Sequence, residues 1–277
     1  MFIRYGYRIE FDVFQPMTIL TAMDLVAERH TDVIDEDWRM DGSGLSFQVF
    51  NDAFGNTRRR IEAEPGTVSL ESVGTIYDTG YTDPWAPTAR QVPAGELPTE
   101  VLPFLIGSRY CETDLLGNEA WRLFGHIEGG WARVQAVCDF VHSHLTFGYG
   151  YARPTRTAAE AYQERVGVCR DFTHLAVTLC RALNIPARYC NGYLGDIGVP
   201  FNPSPMDFNA WFEAYIGDQW YLFDARHNMP RIGRVTVARG RDAADIPMLH
   251  SFGPHNLRRF EVITEEVADP ALRIAAE

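Results

Sequence analysis

Gly167-Val168-Cys169-Arg170-Asp171-Phe172-Thr173-His174-Leu175 is the stretch on which the reading of this chain turns. Tight-turn residues lead into a helix, and a single cysteine stands on its first turn. A thiol there faces unpaired backbone N–H groups and the positive end of the helix dipole, and both favour the thiolate. Structural cysteines more often lie along an element than at its entrance, so Cys169 reads as a nucleophile. The plainer alternative is a cysteine that packs the start of a helix.

Working outward, the helix runs on through Leu175, Leu179 and Leu183 and stops before Pro186. Upstream, apolar spacing predicts helices over 119–127 with Asn118 as N-cap, over 131–145 and over 157–165. Downstream, strand-like composition marks 188–194, 210–216, 220–224, 234–238 and 260–264, and Gly217-Asp218-Gln219 joins the second and third as a hairpin. Helices followed by antiparallel strands make this half α+β.

The first part of the chain reads as β. Ile3, Tyr5, Tyr7, Ile9 and Phe11 alternate along one face, and further strands are expected at 45–50, 57–63 and 67–77 after an apolar segment at 17–26. Asp41-Gly42-Ser43-Gly44 is a turn. It lacks the following helix that a phosphate-cradling loop needs. Short strands with spaced turns suggest a small sandwich. Pro84, Pro87, Pro93, Pro98 and Pro103 then mark a linker draped over a surface. The expected division is an N-terminal β-sandwich over 1–85, a linker over 86–103 and an α+β domain over 104–277.

The 277 residues are 46% apolar and 13% aromatic, ample for a packed core. A net charge of −12 argues against nucleic acid, which needs a basic surface. Arg58-Arg59-Arg60, flanked by Glu62 and Glu64, reads as the solvated face of a strand. The five cysteines are irregularly placed, which fits free thiols in a reducing compartment. Residues 1–10 lack a signal-peptide pattern, and no apolar run approaches the ~18 residues of a membrane span, so a cytoplasmic location without membrane association is expected. His142 and His144, two apart, point to different sides of a helix, so a metal site with Cys138 is not expected. The acidic residues do not have calcium-loop spacing. No cofactor is implied, and the oligomeric state is left open.

A cysteine nucleophile needs a base and a group to orient that base. The hairpin from Asp207 to Asp224 is suited to supply them, because Asp224 ends a strand whose partner begins near Asn209. From residue 155 to 265 the chain resembles the transglutaminase-like superfamily of papain-like cysteine enzymes. The resemblance rests on the Cys169 block, on 180–189, on Gly192-Tyr193, on Ala210-Trp211-Phe212-Glu213-Ala214-Tyr215, on Trp220 and Asp224, and on 240–247. It implies a papain-like transglutaminase core, helices packed on an antiparallel sheet, behind an N-terminal β domain of the kind found in bacterial members.

The resemblance also implies a Cys-His-Asp triad. Cys169 matches the nucleophile and Asp224 the orienting acid, but Asn209 stands where the histidine is usual. An amide has no usable proton affinity at neutral pH. His227, three residues past Asp224, is the expected substitute if its loop folds back. His174 lies about 140° around the helix from Cys169 and reads as packing. Trp211 and Asp171 are the expected substrate contacts, Trp211 having core packing as its alternative.

The function these residues suggest is amide hydrolysis of a peptide or protein through a Cys169 thioester. The alternative is a binding or scaffold protein that keeps the fold without turnover.

Overall fold

The computed structural model describes residues 1–202 and 206–268. Six strands open the chain: β1 (Phe2–Val13), β2 (Met17–Thr21), β3 (Val33–Asp41), β4 (Ser46–Asn51), β5 (Thr57–Ala63) and β6 (Gly66–Tyr77). The α+β half follows: α1 (Thr113–Phe124), α2 (Trp131–His144), β7 (Thr146–Phe147), α3 (Ala158–Glu164), β8 (Val166–Gly167) and α4 (Cys169–Ala182). Then come β9 (Ala187–Leu194), β10 (Asn209–Ile216), β11 (Gln219–Phe223), β12 (Arg234–Gly240), β13 (Leu249–Ser251) and β14 (His255–Val267).

The alternation along β1 decides its orientation. Ile3, Tyr5, Tyr7, Ile9 and Phe11 are all buried, facing a core shared with Met17 and Ile19 of β2, Ile61 of β5 and Leu70 of β6. The sheets β14-β1-β6-β3 and β13-β2-β5-β4 therefore form a sandwich. The same core takes in Tyr189 and Tyr193 of β9 and Val235 and Val237 of β12, with the Tyr5 and Tyr193 rings 5.4 Å apart. The catalytic-type sheet, β11-β10-β9-β12, thus packs on the sandwich through these residues. Its Phe212, Ala214 and Ile216 pack instead with Leu175, Leu179 and Leu183 and with Val134, Val137 and Val141 of α2.

The division at residue 85 is corrected by the last strands. β14 pairs with β1 along its whole length, from Phe2↔Val267 to Val13↔His255, and β13 pairs with β2. Residues 249–267 therefore belong to the sandwich, which is closed by both ends of the chain. The proline-rich stretch does lie against the surface, as a strap. Val92, Leu97 and Val101 are buried with Tyr215, and Asp83 accepts from the Arg231 main-chain N–H.

Three local expectations also change. α1 starts at Thr113 rather than 119, because Gly117 and Asn118 sit inside the helix without breaking it. A Cβ at Gly117 would meet nothing within 4 Å. β3 carries too many charges to show alternation, yet it forms an edge strand with β6. The arginine run is a solvated face only at Arg60. Arg58 is buried and donates to the Thr21 carbonyl at 2.9 Å, while Arg59 pairs with Asp24 and lies 4.0 Å over the Trp38 ring.

Candidate active site

The entrance to α4 is locked from its own first turn. Asp171 Oδ2 accepts the Val168 N–H at 2.9 Å, and the Asp171 N–H donates to the Val168 carbonyl at 2.8 Å. Arg156 adds a buried ion pair to the same carboxylate oxygen at 3.0 Å. A Cβ on Gly167 would fall 2.6 Å from Asp171 Cβ, so the glycine is what lets the carboxylate fold back. Asp171 is 1% exposed. The expectation that it contacts substrate is corrected: its carboxylate is spent on holding the helix start.

That lock sets Cys169 at the first position of α4, half-buried, with Sγ 3.9 Å from the Phe208 carbonyl. Burial pushes the thiol up to about 11, although the nearby Arg226 charge pulls the other way. Desolvation thus opposes the thiolate that the helix entrance favours.

Asp224 follows β11 and is buried. Its Oδ1 accepts the main-chain N–H groups of Arg226 and His227, both at 3.0 Å. Its Oδ2 accepts from His227 Nδ1 and from Arg234 Nη2, both at 2.8 Å. Burial by itself would raise this carboxyl, but the Arg234 charge and the His227 hydrogen bonds outweigh it and hold it well below the ordinary carboxylate range. The loop after Asp224 turns back onto that carboxylate, and His227 pairs with it through Nδ1.

Asn209 opens β10, opposite Gly192 of β9. Its Oδ1 accepts from Arg226 Nη1 at 2.8 Å, and its Nδ2 donates to the Asp207 carbonyl at 3.3 Å. The Arg226 guanidinium also lies 3.8 Å over the Phe147 ring. Arg226 therefore links Asn209 to the loop that carries His227. Asn209, Arg226 and His227 line one small cleft of about 70 Å³, together with Tyr149, Asp207 and Arg231. A larger cavity of about 310 Å³ is lined by Trp85, Trp131, Asp224 and Met229, and Cys169 is among the walls of neither.

Trp211 is 0% exposed, packed with Cys190 and Leu194, and its ring lies 5.0 Å from the Arg234 guanidinium. It supports the residue that supports Asp224 and does not line the cleft, which corrects the expected substrate contact. His174 is fully buried, accepts the Ala243 N–H at 3.2 Å and stacks on Tyr110, so it packs. Burial keeps its pKa low, and the ring is neutral. His142 and His144 pair with the main-chain carbonyls of Arg226 and Tyr162. Among the described residues no group of three or more His, Cys, Asp or Glu side chains is placed to hold a metal ion. Among them, too, no helix is long and apolar enough to cross a membrane.

Sequence reasoning missed Arg226 and Arg234. Both stand within ten residues of Asp224, the one signal available, because a buried carboxylate needs a cation or N–H donors nearby.

A family model described as the transglutaminase-like superfamily matches residues 124–225, which hold Cys169, Asn209 and Asp224. The crystal structure of a "putative cysteine protease" from Cytophaga hutchinsonii superposes with a TM-score of 0.82 at 30% identity, covering 97% of this chain and 91% of that one. The chain belongs to the transglutaminase-like superfamily, with its papain-like α+β core, and at that level to a family of cysteine enzymes. An uncharacterized Mycobacterium leprae protein is 26% identical over 136 residues, 48% of each chain. One from Mycobacterium tuberculosis is 29% identical over 125 residues, 42% of this chain and 40% of its own. The chain spans less than half the length of these curated bacterial relatives.

Proposed function

We propose that this chain is a cysteine amide hydrolase acting on peptide or protein substrates, with Cys169 as nucleophile and His227 as base. The observation that carries this reading is the Asp224–His227 pair. Asp224 takes His227 Nδ1 at 2.8 Å, which leaves Nε2 for proton transfer on the cleft that Asn209 also lines.

A thiol pushed up to about 11 rests protonated, so attack requires a base rather than a preformed thiolate. His227 Nε2 takes the Sγ proton as sulfur attacks the amide carbonyl. The Cys169 N–H, at the start of α4, stabilises the oxyanion. The C–N bond then breaks, and the imidazolium returns its proton to the leaving amine. Water, deprotonated by the same nitrogen, hydrolyses the thioester to a carboxylic acid and regenerates the thiol. Asn209 has no proton to exchange and serves to hold Arg226 in place. The free state of all five cysteines fits a reducing, cytoplasmic setting.

The test is turnover of a panel of peptide amides and esters by wild type, Cys169→Ser and His227→Gln. Loss of a general base costs about 10²–10⁴-fold, so His227→Gln should fall by that factor with substrate binding retained. Undiminished turnover in that variant would remove His227 from the mechanism.

The Asn209–Arg226 contact favours a second reading, a binding protein whose cleft no longer turns over. Asn209→His separates the two. A large gain in activity would mean an intact but idle cleft; a loss would mean that Asn209 already has a task there.

A further inference from the structure

Three buried arginines hold a carboxylate, whereas buried Arg133 and Arg181 are satisfied by main-chain carbonyls and neutral side chains. Arg58 has Asp52 at 3.3 Å, Arg156 has Asp171 at 3.0 Å and Arg234 has Asp224 at 2.8 Å. The two arginines that line the cleft with Asn209 and His227 have no such partner: among the described residues, neither Arg226 nor Arg231 has a carboxylate at ion-pair distance. Arg226 is held by a neutral amide oxygen and an aromatic ring. Arg231 is 5% exposed, gives Nη2 to the Gly195 carbonyl at 2.8 Å, and its buried Nε has no partner.

The acids of the cleft do not cancel these charges at contact. Asp196 accepts the Asn202 N–H at 2.7 Å, and Asp207 accepts its neighbour's, from Phe208, at 2.7 Å. Burial also raises the Asp207 carboxyl. Burial lowers the Arg231 pKa first and the Arg234 charge next; Asp224 and Asp196 oppose them, and the Arg226 charge adds to the lowering. Two guanidiniums held together without a contacting carboxylate carry a desolvation and repulsion cost that an anion bridging them would offset. Planar guanidiniums match a carboxylate through paired N–H donors.

We infer that this cleft is a carboxylate subsite, and that the acyl substrate of Cys169 carries a carboxylate held by Arg226 and Arg231. The substrate identity rests on the amide-hydrolase reading, whereas the anion site itself does not. The carboxylate comes either from the C-terminus of a peptide or from an aspartate or glutamate side chain.

The experiment is alkylation of Cys169, read by mass spectrometry of its peptide, with iodoacetate and with iodoacetamide. The reagents differ by one carboxylate, and neither needs turnover, so failure of the hydrolase reading leaves the result legible. An anion site makes iodoacetate the faster reagent by about tenfold, with saturation, as expected for one charge-assisted contact. Arg231→Gln should abolish that preference and Arg231→Lys should restore part of it.

In wild type alone, N-acetylglycine should protect Cys169 from iodoacetate while N-acetylglycinamide does not. Stronger protection by N-acetylglutamate amide than by N-acetylglycine would assign the side-chain source, and the reverse order the C-terminal one. Iodoacetamide reacting faster than iodoacetate in wild type, with carboxylates and their amides protecting equally, would overturn the inference.

Discussion

His227 Nδ1 stands 2.8 Å from Asp224 Oδ2, and the same carboxylate oxygen takes Arg234 Nη2 at 2.8 Å. Asp224 therefore ties three parts of the chain together: the end of β11, the loop that returns His227 to the cleft, and β12. Its Oδ1, occupied by two main-chain N–H groups, shapes that loop directly. The orienting acid is at once a catalytic-type residue and a structural one.

Asp224→Asn should destabilise the fold as well as disable the site, because it leaves Arg234 a buried cation with one carboxylate fewer. Removing one member of a buried pair costs about 3–5 kcal/mol, somewhat less here since Asp83 also contacts Arg234. Thermal or denaturant unfolding of the variant measures it. The pH sign follows from a carboxyl held below its unfolded value. Its stabilisation is complete above ~4 and is lost as pH falls from there towards the depressed folded pKa. The wild type should lose stability through that acid window more steeply than Asp224→Asn does.

Cys169 alkylation by iodoacetamide should keep accelerating with pH to about 11, rather than level off near the ~8.5 of an exposed thiol. A plateau at or below ~8.5 would show that the folded protein does not disfavour the thiolate. The corresponding stability change has the opposite sense to that of Asp224. The folded chain keeps a proton that the unfolded chain releases, so stability falls as pH rises from ~8.5 to about 11, and Cys169→Ser should lack that component.

A chain ending at residue 248 should fail to fold as a soluble protein, although it keeps Cys169, Asn209, Asp224 and His227. It would leave β1 without β14 on one edge and β2 without β13. A soluble, cooperatively unfolding truncate, assayed by circular dichroism and size-exclusion chromatography, would show that the N-terminal strands close without the C-terminal ones.

Much of the architecture was legible locally. The alternation of Ile3 to Phe11 and the apolar spacing after Cys169 repeat within a few residues, and period is what distinguishes strand from helix. β3 was lost because its charges hide that period, and the start of α1 because Gly117 and Asn118 mimic a helix boundary. Asp171 and Trp211 read as cleft residues because their types suit a cleft; burial, which sequence does not display, removed both.

By itself, then, the sequence determined most of the helices and strands in their order and the place of Cys169 at a helix entrance. Only the tertiary structure decided which charges meet. The sandwich closes through contacts such as Phe2 with Val267, and the acid that receives Arg234 Nε is Asp83, 151 residues earlier in the strap. The thiol is raised by burial and by the Asp207 charge, against the pull of Arg226, groups that the fold gathers around the start of α4. Periodicity is a property of neighbours along the chain, whereas desolvation and ion pairing depend on groups brought together from far apart in it.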